Sequence, residues 1–225
     1  MNASLTRQLA AEFAGTAFLL ATVVGSGIMG ERLAGGNTAI TLLANTLATG
    51  AILYVLIVVF ARVSGAHFNP AVTLSAAWQE TLPWRHVSPF IAVQCLGALT
   101  GVVTAHWMFE LPAVTASMHA RAGFPQMGSE LVATFGLLTV ILHCSRLRPD
   151  AVAAAVACYI GAAYWFTAST SFANPAVTMA RSLTDTFSGI RPVDAPGFIA
   201  AQLLGSGLAV FFHRWMLSGS KEVPR

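Results

Sequence analysis

The chain has 225 residues, of which 56% are hydrophobic and only 9% charged, against about 25% charged residues in an ordinary soluble domain. That imbalance excludes a water-soluble globular protein and makes the chain an integral membrane protein. A net charge of +3 does not indicate a nucleic-acid partner, because the 12 Lys and Arg residues stand singly between apolar runs and form no patch.

From the N-terminus, the run Leu9 to Ile28 is about one full span long. It exceeds the apolar core of a typical signal peptide, so it is read as a retained first helix. Further runs of spanning length lie at 38–60, 87–108, 128–146, 150–168 and 196–217, with the first at 8–29. Six spans put both termini on one side. With the N-terminus inside, the interior carries Arg7, Arg62, Arg85, Arg146, Arg148, Arg214, Lys221 and Arg225, and the exterior Arg32, Arg121, Arg181 and Arg191. Eight against four obeys the positive-inside rule. Cys95, Cys144 and Cys158 are odd in number and lack metal-ligand spacing, which points to reduced structural thiols.

Between the second and third spans lies Ser64-Gly-Ala-His-Phe-Asn-Pro-Ala-Val-Thr73, and a close copy returns at Ser171-Phe-Ala-Asn-Pro-Ala-Val-Thr178. Asn is a preferred N-cap and Pro suits the first helical position, where its missing N–H costs nothing. Each copy therefore predicts a short helix, Pro70 to about Gln79 and Pro175 to about Thr186, about half a bilayer long at about 1.5 Å per residue. Other stretches repeat too. Glu12-Phe-Ala-Gly-Thr-Ala-Phe-Leu-Leu20 resembles Glu130-Leu-Val-Ala-Thr-Phe-Gly-Leu-Leu138, and Phe90-Ile-Ala-Val-Gln-Cys-Leu-Gly97 resembles Phe198-Ile-Ala-Ala-Gln-Leu-Leu-Gly205.

Each half, approximately 1–110 and 127–225, thus has three spans and one Asn-Pro-Ala segment. An odd number of spans inverts the second half relative to the first. Inverted repeats with broken helices place the functional site near the membrane midplane. The fold class is an all-α membrane protein with six transmembrane helices and two re-entrant half-helices. Non-helical backbone leading into the half-helices must line a cavity or be buried. The carbonyls of Gly65, Ala66, His67, Thr170 and Phe172 are then a ladder of acceptors along a pore.

The paired motifs and the architecture resemble the aquaporin, or major intrinsic protein, family over essentially the whole chain. The resemblance implies a passive homotetrameric channel, one pore per subunit, for water and small uncharged solutes, with no cofactor and no enzymatic activity. It makes Asn69, Pro70, Ala71, Asn174, Pro175 and Ala176 the central constriction. There each Asn oxygen caps its helix while the amide nitrogen donates to the passing solute. Two facing helix N-termini, each about half a positive charge, oppose cations and protons.

The family's outer filter, carried over by spacing to the motifs, falls on Thr49, Ala162, Ser171 and Val177. Water channels usually have Phe at the position of Thr49, glycerol channels Trp, and many water channels His at that of Ala162. Val177 stands where the family normally has Arg. All four positions are small and uncharged, so the expected mouth is wide, without an aromatic wedge or a cation. Glycerol, urea and neutral metalloid hydroxides such as arsenous acid are the expected cargo. The Val-substituted motif, continuing Thr-Met-Ala-Arg-Ser-Leu-Thr-Asp-Thr-Phe, also resembles a bacterial branch of the family linked to arsenic resistance. Thr178 replaces the Asp that commonly follows the filter Arg in glycerol channels.

Arg181 lies four residues after Val177 and, because helical side chains lean toward the N-terminus, either reaches back to the filter or pairs with Asp185 at the surface. In the second case it has no conduction role. Glu12 and Glu130 are ionisable groups inside spans; their equivalent places in the two repeats favour bracing of the re-entrant segments over a proton relay. His67 is read as structural, with its carbonyl in the pore. Of the consecutive aromatics Tyr164, Trp165 and Phe166, most must face lipid or neighbouring helices.

A secondary transporter would share the inverted repeat but needs a coupling site, and none is evident beyond the two glutamates. An anion pathway remains the other alternative, since the dipoles stay while Val177 removes steric blockage. An intramembrane enzyme would need a nucleophile with its base, and no such constellation appears. Bacterial plasma membrane, both termini cytoplasmic, is the expected location.

Overall fold

The computed structural model describes residues 3–218, so Lys221 and Arg225 lie outside the described residues. The described residues form eight α-helices: α1 (Leu5–Leu33), α2 (Thr38–Ser64), α3 (Pro70–Trp78), α4 (Trp84–Met108), α5 (Phe124–Leu147), α6 (Val152–Phe166), α7 (Pro175–Arg181) and α8 (Ala195–Leu217). A 3-10 turn at Pro149–Ala151 lengthens α6 to spanning size, and six helices are long and apolar enough to cross a membrane. The chain is thus an all-α membrane protein with two half-helices, α3 and α7, in inverted halves.

Local chemistry sets the boundaries. Asn37 caps α2, its Oδ1 accepting from the N–H groups of Ala39 and Ile40. Gly65 ends the same helix at φ 92°, a left-handed conformation that costs glycine nothing. The α7 helix stops at Arg181, short of the expected Thr186. Ser182 turns its hydroxyl back onto the Met179 carbonyl, and the Ile190 N–H donates to the Arg181 carbonyl. These local bonds in a Ser/Thr-rich stretch compete with helix continuation.

The halves are built alike. The α1 helix packs along α4, and α5 along α8, with glycines at the crossings. A Cβ on Gly97 would lie 2.4 Å from the Phe13 carbonyl oxygen, and one on Gly205 would lie 2.4 Å from that of Leu131. Backbone cannot yield as a side chain can, so the helices would be forced apart. Gly205→Val is therefore expected to destabilise the protein by about 1–3 kcal/mol, read as earlier thermal unfolding in detergent. Gly128→Ala, where nothing lies within 4 Å, should not lower it.

The half-helices interlock the two repeats. One apolar cluster joins Leu20, Val24, Ala98 and Val102 of the first half to Ala176, Val177 and Ala180 of α7. The reciprocal cluster joins Ile57 and Val72 to Ala133, Leu138, Val156 and Ala209 of the second half. Ser75 of α3 and Ser206 of α8 add a hydroxyl pair at 2.8 Å. This exchange holds both half-helix N-termini at the middle of the bundle.

Candidate pore

The two Asn-Pro-Ala motifs meet at the centre through reciprocal hydrogen bonds. Asn69 Nδ2 donates to the Ala173 carbonyl and Asn174 Nδ2 to the Phe68 carbonyl, each at 2.8 Å. Their oxygens cap the half-helices: Asn69 Oδ1 accepts from Ala71 N–H at 2.9 Å, and Asn174 Oδ1 from Ala176 N–H at 3.0 Å and Val177 N–H at 3.3 Å. Each amide nitrogen carries two hydrogens. One crosses to the other repeat, which leaves the second for a molecule in the cavity.

The segments entering the half-helices are strained in matching places. Ala66 and Phe68, and likewise Ser171 and Ala173, have φ between 48° and 51°. Outside glycine such a conformation costs about 1–2 kcal/mol per residue. Two buried carboxylates hold it. Glu12 accepts from Ser64 Oγ (2.6 Å), His67 N–H (2.9 Å), Phe68 N–H (2.6 Å) and Gln94 Nε2 (2.9 Å). Glu130 accepts from Phe172 N–H (2.8 Å), Ala173 N–H (2.8 Å) and Gln202 Nε2 (2.6 Å). The same glutamines donate to Thr73 and Thr178, at 2.9 and 2.8 Å. Thr178 is thus the symmetry mate of Thr73 within a repeated Glu-Gln-Thr network. His67 is tied down as well, its Nδ1 lying 3.1 Å from Thr73 Oγ1.

The N–H groups of His67, Phe68, Phe172 and Ala173 donate to the glutamates, and the carbonyls of the segments are left over. Those of Gly65, Ala66, His67, Thr170, Ser171 and Phe172 accept no hydrogen bond among the described residues. All of these residues except Thr170 line one cavity of about 930 Å³, and Ser171 and Phe172 among them are buried, where a carbonyl without a partner is rare. The cavity passes both asparagines and reaches His86, Arg146 and His213 at the end that carries the N-terminus of α1. The lining also includes the apolar side chains of Leu53, Ile57, Val72 and Val177.

At the far end the lining includes Thr49, Ser171 and Val177. Ser171 Oγ is buried and has no partner among the described residues. Ala162 is not part of the lining: it is exposed on the outer face of α6. Two residues on, a turn of about 200° around the helix, Tyr164 occupies the inward face. It is 3% exposed, whereas Trp165 and Phe166 are more than half exposed. The Tyr164 hydroxyl donates to Thr49 Oγ1 at 3.2 Å, joining α6 to α2.

Of the two alternatives for Arg181, the surface pair with Asp185 is not formed among the described residues, and Asp185 instead accepts from Met118 N–H at 2.8 Å. Arg181 is 1% exposed and belongs to the cavity lining. Its guanidinium carbon lies 3.4 Å from the centre of the Phe172 ring, and its Nε donates to the Ser188 carbonyl. Thr49, Ser171 and Val177 thus share the cavity lining with larger side chains. An aromatic and a cation both line the cavity, Tyr164 two residues after Ala162 and Arg181 four residues after Val177.

Sequence reasoning passed over Arg121. It stands in the α4–α5 connection, 7% exposed, and donates to the carbonyls of Gly189 (2.8 Å), Ser169 (3.0 Å) and Phe187 (3.3 Å). Its guanidinium carbon is 5.0 Å from the same Phe172 ring. Burial pushes its pKa down to about 10, which leaves it charged at neutral pH. A lone Arg between apolar residues carries no signal of this role, since its partners are backbone carbonyls distant in sequence.

Residues 1–149 match the family described as MIP, major intrinsic protein. The chain is 51% identical over 221 residues to the aquaglyceroporin AqpS of Rhizobium meliloti (strain 1021), covering 98% of this chain and 94% of that protein. It is 30% identical over 142 residues to the aquaporin NIP6-1 of Arabidopsis thaliana, covering 62% of this chain and 45% of that one. The fold resembles the X-ray structure of the aquaglyceroporin from Plasmodium falciparum, with a TM-score of 0.73 at 22% identity, over 93% of this chain and 96% of that one. These relatives are channels rather than enzymes. With 98% of its length aligned to one such relative and its fold shared with another, the chain belongs to the major intrinsic protein family.

Proposed function

We propose that this channel conducts small uncharged solutes as well as water: glycerol, urea and arsenous acid. The observation that carries the reading is the mixed lining. Unpartnered carbonyls, the asparagine amides and Ser171 Oγ supply a polar part of the lining, and Leu53, Ile57, Val72 and Val177 an apolar part. A polyol or As(OH)₃ exchanges its hydration for the polar part while its bulk rests against the apolar one. Val177 has no polar group to hold water at that corner.

In this reading Asn69 and Asn174 donate to the solute at the centre, the carbonyls of Gly65, Ala66, His67 and Phe172 accept from it, and Glu12 and Glu130 brace the strained segments. Thr49, Ser171 and Val177 contribute to the outer filter. The chain works as a homotetramer in a bacterial plasma membrane with both termini cytoplasmic, the orientation favoured by its basic residues.

Stopped-flow swelling of proteoliposomes with water, glycerol, urea and arsenous acid tests this. Passage of glycerol and arsenous acid, linear in concentration, is expected. Vesicles that pass water alone would overturn it in favour of a water-selective channel, the second reading, which the presence of Arg181 and Tyr164 in the lining favours.

A further inference from the structure

We infer that the specificity-determining ring of this channel is built by Arg181 and Tyr164, with Phe172 as the positioning residue that holds the Arg181 guanidinium at filter depth. The inference rests on the chain being a neutral-solute channel and names what sets its selectivity.

Three observations converge. First, Arg181 departs from the end of a short helix, yet its guanidinium lies face-on to the ring of Phe172, the residue next to Ser171. The side chain has therefore folded back by about one turn to the depth of the re-entrant segment. Second, only its Nε is engaged, by the Ser188 carbonyl, and its Nη groups have no hydrogen-bond partner among the described residues. A guanidinium in a cavity wall with free N–H groups is a donor to whatever passes. Third, no carboxylate pairs with either Arg181 or Arg121 among the described residues. Both cations are held instead by backbone carbonyls and the face of Phe172. The far end of the pore thus holds two guanidinium groups with no ion-pair partner among the described residues, in a low-dielectric throat that repels cations.

Tyr164 supplies the other side. Its ring stands where the small Ala162 was expected, and its hydroxyl is turned to Thr49, so it presents an apolar flank to the cavity. The ring so formed differs from an arginine on the first turn of α7, because Val177 leaves that corner free of charge and of donors. Cation exclusion is retained while the neutral solute meets the Arg181 guanidinium and Ser171 Oγ beside the apolar surfaces of Tyr164 and Val177.

The test uses full-length protein in proteoliposomes, with the glycerol-to-water flux ratio and the Na⁺ and H⁺ leak measured together. Arg181→Ala is expected to raise the cation leak by about tenfold, the effect of removing one charge at about 10 Å in a partly screened site, and to raise the glycerol-to-water ratio. Arg181→Lys should keep the leak low and still shift the ratio, since an ammonium cannot stack on Phe172 as a guanidinium does. Tyr164→Phe, which frees Thr49 Oγ1, should change the ratio and not the leak. Phe172→Leu should reproduce the leak of Arg181→Ala in part, and Phe172→Tyr should restore it to the wild-type level. A merely structural role would lower every flux together and leave ratio and leak alone. Wild-type leak and ratio in Arg181→Ala would overturn the inference. Should wild-type vesicles pass water only, the neutral-solute reading fails, and the leak of Arg181→Ala still decides the role of Arg181.

Discussion

Glu130→Gln is expected to abolish solute flux and to destabilise the protein by about 2–4 kcal/mol, the cost of leaving buried donors without an acceptor. The carboxylate now accepts from Phe172 N–H, Ala173 N–H and Gln202 Nε2. An amide has one acceptor oxygen and brings two new hydrogens, so at least one donor faces another donor in a site with no exposure to solvent. The strain at Ser171 and Ala173 then loses its support. The segment relaxes, and its carbonyls no longer point into the cavity. Thermal unfolding in detergent and vesicle swelling measure the two consequences. Glu12→Gln should match it, because Glu12 holds Phe68 and His67 in the same way. A fully active, equally stable Glu130→Gln channel would show that the bracing bonds contribute nothing.

Val177→Arg is the second variant with a large expected effect. Val177 is 5% exposed, packs with Ala176 and Ala180, and faces the cavity beside Ser171. An Arg there adds a second guanidinium to a wall that already holds Arg181. Its bulk narrows the passage, and its N–H groups fill the apolar corner on which a polyol rests. Glycerol and arsenous acid flux should fall by about tenfold or more, equivalent to about 1.4 kcal/mol of added barrier, while water flux falls much less. Equal loss of both in stopped-flow swelling would count against a size filter and point to general misfolding. The contrast with Arg181→Ala is informative, since the two variants move charge in opposite directions at neighbouring depths.

How far the pore could be read in advance varied with the kind of signal. The membrane class, the six spans and the two short helices follow from apolar run length and from Asn-Pro-Ala chemistry, both local properties. The inversion follows from counting three spans per repeat. The matched pairs Glu12 with Glu130 and Gln94 with Gln202 stand in equivalent stretches of the two repeats, and the structure gives them equivalent partners. The mouth was the weak point. Distance along the chain to Asn174 points to Ala162, whereas the α6 helix with the turn after Phe166 puts Tyr164 on the inward face. Placing a side chain on a helix requires the rotation of that helix, and an error of two residues turns the wall through most of a half-circle.

What the amino-acid order determined by itself is therefore the membrane, the repeat and the caps at the centre, because each rests on contacts within a few residues or on composition. What only the tertiary structure decided is the far end of the pore. Arg121, Arg181, Phe172 and Tyr164 come from four separate segments, and their distances from one another follow from how α6, α7 and the α4–α5 connection pack. No local pattern encodes a guanidinium that folds back onto a ring nine residues earlier in the chain, since its position there depends on the loops that wall it in.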